Sequence, residues 1–274
     1  MIEMIKEMFS YSFILRAFAV GIMVSLCSSL LGVTLVLKKY SMIGDGLSHV
    51  GFGAMTVALA LNTAPLYVAV PVMILSAFLL LQLRQNSKIN SDAAIALISS
   101  TSIAVGITAA SLSGGMNTDV YSYMFGSILA VTKSDVVISA VLCGTILLVF
   151  VLCYHRIFAV TFDENFAQAS GIKTKPFNLL FALLTAATIV VGMRVMGTML
   201  ISGLIIFPAV TSMRIFKTFR SVMFCAAVVS VVSFIVGMLA SYAFSYIPAG
   251  AGIVLANLAF LLVFSFLAKI KKVN

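Results

Sequence analysis

The sequence is poor in charge. Of its 274 residues, 9% are Asp, Glu, Lys or Arg and 62% are hydrophobic, with a mean hydropathy of +1.19. That combination excludes a soluble core and points to a chain whose solvent is largely lipid. Acids are scarcer than bases, 8 against 17, for a net charge of +9. A basic balance can signal nucleic-acid binding. Here Lys and Arg stand singly or in pairs between apolar runs, the pattern of cytoplasmic loops, and nucleic acid is set aside as a partner. Cysteine is limited to Cys27, Cys143, Cys153 and Cys225, with no C-x-x-C pair, and all four lie in or beside apolar runs. They read as small packing residues. No convincing leader precedes the first helix, because Leu26 is too large for the position before a lipoprotein-type Cys27 and residues 1–37 lack a small-residue cleavage site. The G-x-x-x-x-G-K-[ST] phosphate loop is missing too. Gly171-Ile172-Lys173-Thr174 lacks the adjacent Gly-Lys and the upstream glycine, so ATP hydrolysis is not expected of this chain.

What is present is a series of apolar runs, at about 15–37, 43–61, 66–83, 92–112, 134–153, 176–193, 196–213, 219–245 and 250–268. A spanning helix needs about 20 apolar residues. The expected architecture is all-α: a polytopic membrane protein of eight to nine transmembrane helices in one domain, 1–274. The uncertain run is 196–213, which Gly197, Gly203 and Pro208 suggest is short or broken. A piece around Tyr121–Gly126 is too short to span and reads as interfacial or re-entrant. Placing Lys38 and Lys39 inside also places Arg84, Lys88, Arg156, Lys173, Lys175, Arg214, Lys217, Arg220, Lys269, Lys271 and Lys272 inside, thirteen of the seventeen bases. With nine spans the N-terminus is then outside and the C-terminus inside. Residues 1–14 read as a short amphipathic segment at the surface.

The stretch Lys38–Gly53 departs from generic membrane sequence. Asp45 and His49 sit four residues apart between apolar runs. On a helix that spacing puts them on one face. A carboxylate oxygen and an imidazole nitrogen are ligands for zinc or another first-row divalent metal. Zinc usually takes four ligands, so two copies of the chain meeting at this helix would complete a site. The competing reading is that Asp45 caps the helix and His49 bonds a neighbouring helix. Intramembrane ionisable groups are costly and are functional candidates by default. The glycines at 44, 46, 51 and 53 would let a neighbouring backbone come close.

Further polar residues have plainer readings. Asp119 and Asp135 are expected to cap helices near an outward-facing turn at Gly114–Asn117. Arg194 and Asn257 are expected to tie helices together. In the long inner loop from His155 to Lys175, Thr161 and Glu164 form an S/T-x-x-E pattern that predicts a short helix starting there. Gly171 is its natural stop. Phe162, Phe166 and Ile172 on that helix need something to pack against, either its own membrane helices or a soluble partner.

In its motifs the chain resembles the membrane permease subunits of bacterial ABC importers for zinc and manganese. The resemblance rests on Met42–His49, Tyr123–Val131, Asp163–Gly171, Met196–Ala209 and Pro248–Gly250, in order and at family-like spacing. It implies the all-helical permease fold, a bacterial inner or plasma membrane location, and a pairing with a second copy. It implies cytoplasmic ATP-binding subunits docking on the 161–173 segment, with Asp163, Glu164, Phe166, Ala167, Ala169 and Gly171 as the coupling residues. An extracytoplasmic metal-binding protein would deliver the ion. No tightly bound cofactor is implied, and the divalent metal is cargo. The family's intramembrane ligands map onto Asp45 and His49. Manganese-type members often carry a proline shortly after the histidine; Gly51-Phe52-Gly53 stands here instead and tilts the reading towards zinc. Rival readings are a permease for a metal chelate of siderophore or cobalamin type, a gradient-driven secondary carrier, and a purely structural membrane subunit. The chelate permease needs no inner-shell ligands, and the secondary carrier should show internal repeats, which the sequence does not clearly have.

Overall fold

The computed structural model describes residues 10–86, 91–115, 118–126, 131–198, 200–244 and 246–273, without the side chains of 83–86, 91, 118–119 and 271–273. The expectations placed on residues 1–9, Arg84, Lys88, Met116, Asn117, the Asp119 side chain and residues 127–130 lie outside that set. Among the described residues there are twelve helices and no strand. They are α1 (Ser12–Leu37), α2 (Ser41–Ala60), α3 (Pro65–Asn86), α4 (Ser91–Leu112), α5 (Thr118–Phe125), α6 (Lys133–Leu152), α7 (Tyr154–Phe162), α8 (Glu164–Ala169), α9 (Thr174–Met196), α10 (Ile201–Met213), α11 (Phe219–Ala243) and α12 (Ala249–Val273).

Seven of these, α1, α3, α4, α6, α9, α11 and α12, are long and apolar enough to cross a membrane. The two remaining apolar runs are also helical. α2 has 20 residues, but Asp45, His49 and four glycines dilute its hydropathy. α10 has 13 residues, a rise of about 20 Å against a hydrocarbon core of about 30 Å. The chain is a multi-pass membrane protein, and its side-chain distribution says so as clearly as its helix lengths. Val141 and Val151 of α6 and Leu262 and Phe266 of α12 face outwards, each more than 60% exposed. The interior holds small polar residues instead: Ser25, Ser28 and Ser29 of α1 and Ser230 and Ser233 of α11 are fully buried. The Ser230 hydroxyl donates to the Ser25 carbonyl across the helix pair at 2.9 Å. Lipid removes the hydrophobic drive between helices, so close packing and interhelical hydrogen bonds take over.

α1 lies at the centre against α6, α9, α10 and α11, while α2 lies along α4 and against α3. At Gly53 a Cβ would stand 2.5 Å from the Ser102 carbonyl oxygen of α4, so only glycine permits that approach. The other three glycines of α2 meet side chains, not backbone: Gly44 faces Ile205, Gly46 faces Ile95, and Gly51 faces the thioethers of Met73 and Met193.

The basic residues Lys38, Lys39, Lys173, Lys175, Arg214, Lys217, Arg220 and Lys269 gather at one end of the helices. At this basic end α1 turns directly into α2. The Lys39 N–H donates to Val36 at 3.0 Å and the Tyr40 N–H to Leu35 at 2.7 Å, the paired bonds of a Schellman turn, with Lys39 left-handed at φ 58°. At the opposite end three separate sequence motifs meet. Gly197 has φ 83° and ψ 156°, a region open essentially to glycine alone. A Cβ there would overlap the Met124 carbonyl oxygen, and one at Gly126 or Gly250 would overlap backbone of the Val195–Gly197 segment. The Thr198 N–H donates to the Tyr123 carbonyl at 2.9 Å. The short piece predicted near Tyr121–Gly126 is thus helix α5, pinned by its last residues to the breaks before α10 and α12.

The inner loop differs in detail from the sequence pattern. Thr161 does not start a helix; it lies in the last turn of α7, and its hydroxyl donates to the Ile157 carbonyl at 2.6 Å. The cap is Asp163, which accepts from the Phe166 N–H at 2.9 Å and starts α8 at Glu164. The Thr161 pattern fails because a threonine inside a helix satisfies itself on the preceding turn. Gly171 does stop α8, at φ 83°, with Ile172 N–H to Ala167 and Gly171 N–H to Gln168, each at 2.9 Å. Asp135 caps α6 through a reciprocal box with Thr132 and also pairs with Arg194, tying α6 to α9. Among the described residues Asn257 bonds no neighbouring helix: its amide donates to Ile253 of its own helix.

Candidate functional site

Asp45 and His49 are the fifth and ninth residues of α2, about 6 and 12 Å along its axis from the basic end. The N-cap of α2 is Tyr40 and the first turn holds no acid. Asp45 is therefore not a capping carboxylate, which removes the plain reading of that residue. Ile43, Gly44, Gly46 and Leu47 are buried around it. The Ser48 hydroxyl turns back to the Asp45 carbonyl at 2.7 Å, leaving the carboxylate to its other neighbours. These are His49 and, from the first turns of α10, Ser202.

The Asp45 Oδ2 and His49 Nε2 atoms are 3.6 Å apart, with the two side chains 34% and 18% exposed. That is longer than a hydrogen bond and suits a shared ion. Two donors 3.6 Å apart can both lie about 2.1 Å from one cation, subtending roughly 120° there, near the tetrahedral angle. The second ring nitrogen, Nδ1, is buried with no partner among the described residues. An orphaned buried nitrogen costs on the order of 1–3 kcal/mol. No group of three or more His, Cys, Asp or Glu occurs among the described residues. One chain thus offers a cation two ligands on a half-open face.

The second candidate region is α7–α8. Phe162 packs tilted against Phe158 at 4.8 Å and edge-on to Phe219 at 5.9 Å between ring centroids, so its packing partners are the chain's own helices. Phe166 makes no such contact and is 65% exposed. Asp163, Ala169 and Gly171 are also exposed, whereas Ala167 is buried and seats α8 on the bundle. Glu164 turns inward: its Oε1 accepts from Asn178 of α9 at 2.7 Å, and its Oε2 lies 3.5 Å from the Lys38 Nζ. Gln168 donates to Thr174 at 2.8 Å. Sequence reasoning named the α2 pair and the α8 segment as candidates. It did not single out Lys38 or Asn178 as connecting them; the available signal was a lone asparagine near the start of an apolar run.

A model of the ABC 3 transport family matches residues 10–269. The chain belongs to that family. As a member it is a membrane subunit of an ABC-type transport system. It is 29% identical over 257 residues to the "High-affinity zinc uptake system membrane protein ZnuB" of Haemophilus influenzae, covering 93% of this chain and 97% of that one. It is 27% identical over 264 residues to the "Manganese transport system membrane protein MntC" of Halalkalibacterium halodurans, covering 96% and 90%. Among solved structures, PsaBC from Streptococcus pneumoniae in complex with Fab superposes at a TM-score of 0.86 with 27% identity, covering 99% of this chain and all of that one. Each match runs over at least nine-tenths of both chains.

Proposed function

We propose that this ABC 3 permease carries a bare divalent transition-metal ion across the membrane, zinc first and manganese next, as one half of a homodimer in an ATP-driven importer. The observation that carries the proposal is the Asp45–His49 pair: uncapped, 3.6 Å apart, half-open, and two ligands short of a zinc shell. A second copy at the same face supplies those two. The names of the zinc and manganese relatives favour the same cargo. Mixed oxygen and nitrogen donors disfavour calcium and magnesium, which take oxygen shells. Cytoplasmic ATP-binding subunits dock on α8, with Phe166 as the exposed apolar anchor, and an extracytoplasmic protein delivers the ion. Their closure switches the dimer between outward- and inward-open states. Net transport requires that the two states hold the ion with different affinity.

The test is zinc-65 uptake by proteoliposomes holding the permease with its ATPase subunits. His49→Ala and Asp45→Ala should each abolish ATP-dependent zinc uptake. Zinc uptake retained in His49→Ala would contradict the assignment. Uptake of an intact chelate unaffected by both substitutions would favour a chelate permease.

A further inference from the structure

Lys38 is a cation with its side chain only 5% exposed, far from Asp45 and His49 in role but close in sequence. Its Nζ donates to Asn178 Oδ1 at 2.5 Å and pairs with Glu164 at 3.5 Å, and it lies 5.4 Å from the centroid of the Tyr40 ring. Asn178 closes the triangle by donating to Glu164 at 2.7 Å. Three elements meet in this triad: the end of α1, the first residue of α8, and the second turn of α9.

We propose that Lys38 is a positioning residue that hands movement of α8 to α2, the helix bearing Asp45 and His49. The inference rests on the proposed function for what α8 and α2 do. The physical case has three parts. First, the Lys38 cation is 5% exposed and its partner Glu164 33% exposed, so separating them is costly and they move together. Second, the joint from Lys38 to α2 has no slack. Lys38 is the C-cap of α1, Tyr40 is the N-cap of α2, and the intervening turn is closed by the Lys39-to-Val36 and Tyr40-to-Leu35 bonds. A displacement at Lys38 therefore reaches the first turn of α2, which holds Asp45 one turn further on. Third, the packing beside the triad is incomplete. A cavity of about 10 Å³, lined by Lys38, Tyr40, Ile43 and Asn178 among others, adjoins the triad and is roughly one water in size. Phe166, three residues before Ala169 on the same short helix, presents the face on which an ATPase subunit would pull.

The experiment uses the permease assembled with its ATPase subunits in proteoliposomes, measuring zinc transported per ATP hydrolysed and equilibrium zinc binding. Lys38→Met keeps most of the side-chain stem and removes the charge. It should lower zinc transported per ATP at least about tenfold, roughly 1.4 kcal/mol of coupling, with zinc stoichiometry and affinity within about twofold of the parent. Lys38→Arg should retain coupling. Glu164→Lys should be uncoupled like Lys38→Met, and the exchange Lys38→Glu with Glu164→Lys should recover several-fold over either single change, because only a specific pair gives non-additivity of that sign. A Lys38→Met transporter with the parental ratio overturns the proposal, as does an exchange no better than its singles. If Lys38→Met does not assemble, Glu164→Gln, which removes the anion of the pair and keeps its shape, must still lower the ratio several-fold; a parental ratio there overturns it. Failure of the metal-site reading looks different: zinc binding would survive Asp45→Ala whatever the coupling ratio does.

Discussion

The two ends of the bundle are joined by different means. At the end away from the basic residues, α5, α9 and α12 are fused through backbone, with Gly126, Gly197 and Gly250 leaving no room for a side chain and a direct main-chain bond from Thr198 to Tyr123. At the basic end α1, α8 and α9 are joined through the long side chains of Lys38, Glu164 and Asn178. Main chain packed directly on main chain, with no side chain between, has little freedom to shift. Side chains bridge these elements without fusing their backbones, so α8 and the end of α1 can shift together, joined at Glu164 and Lys38. The contrast separates a rigid end from a movable one, a difference the proposed alternating access would use.

The comparison can be broken most severely at the rigid end. Gly197→Ala must adopt a backbone conformation closed to alanine and overlap the Met124 carbonyl, costing roughly 3 kcal/mol or more. Purified protein should show a large fall in Tm, or no folded permease at all. Next is Asp135→Asn, which leaves Arg194 without its anion beside the same junction. Breaking a buried pair costs about 3–5 kcal/mol; the partial exposure of Arg194 reduces this to about 2 kcal/mol, read as a smaller Tm shift. At the movable end stability should hardly change. Phe166→Ala, at an exposed position, should leave Tm unaltered and weaken ATPase-subunit binding about tenfold, near 1.4 kcal/mol, measured by titration with the purified subunits. Asp163→Ala removes only the α8 cap, worth about 1 kcal/mol locally. Faster hydrogen exchange at the Phe166 amide, with global Tm unchanged, is the expected signature.

Local order was legible in the sequence. Apolar run lengths give the helices, and the four-residue spacing of Asp45 and His49 gives the pair on one face of α2. Gly171 ends α8 as its conformational freedom suggests. Three features were not legible. The S/T-x-x-E pattern places the start of α8 at Thr161, but α7 runs on through Phe162 and claims the Thr161 hydroxyl, which leaves Asp163 as the cap. The glycine junction was visible only as three unrelated motifs, since nothing local says that Gly126, Gly197 and Gly250 meet. The triad joins residues 140 positions apart, and a buried lysine looks in sequence like any loop lysine. Gly44, Gly46 and Gly51 were expected to admit a backbone, yet only Gly53 does. Composition cannot tell a glycine facing a side chain from one facing a carbonyl.

The most direct measurement is the stoichiometry of zinc bound at equilibrium to the purified permease, by equilibrium dialysis with zinc-65. Two ligands from each chain around one ion require half a zinc per chain, abolished by either Asp45→Ala or His49→Ala. A value of one zinc per chain, or binding that survives both substitutions, would contradict the shared site on which the account rests.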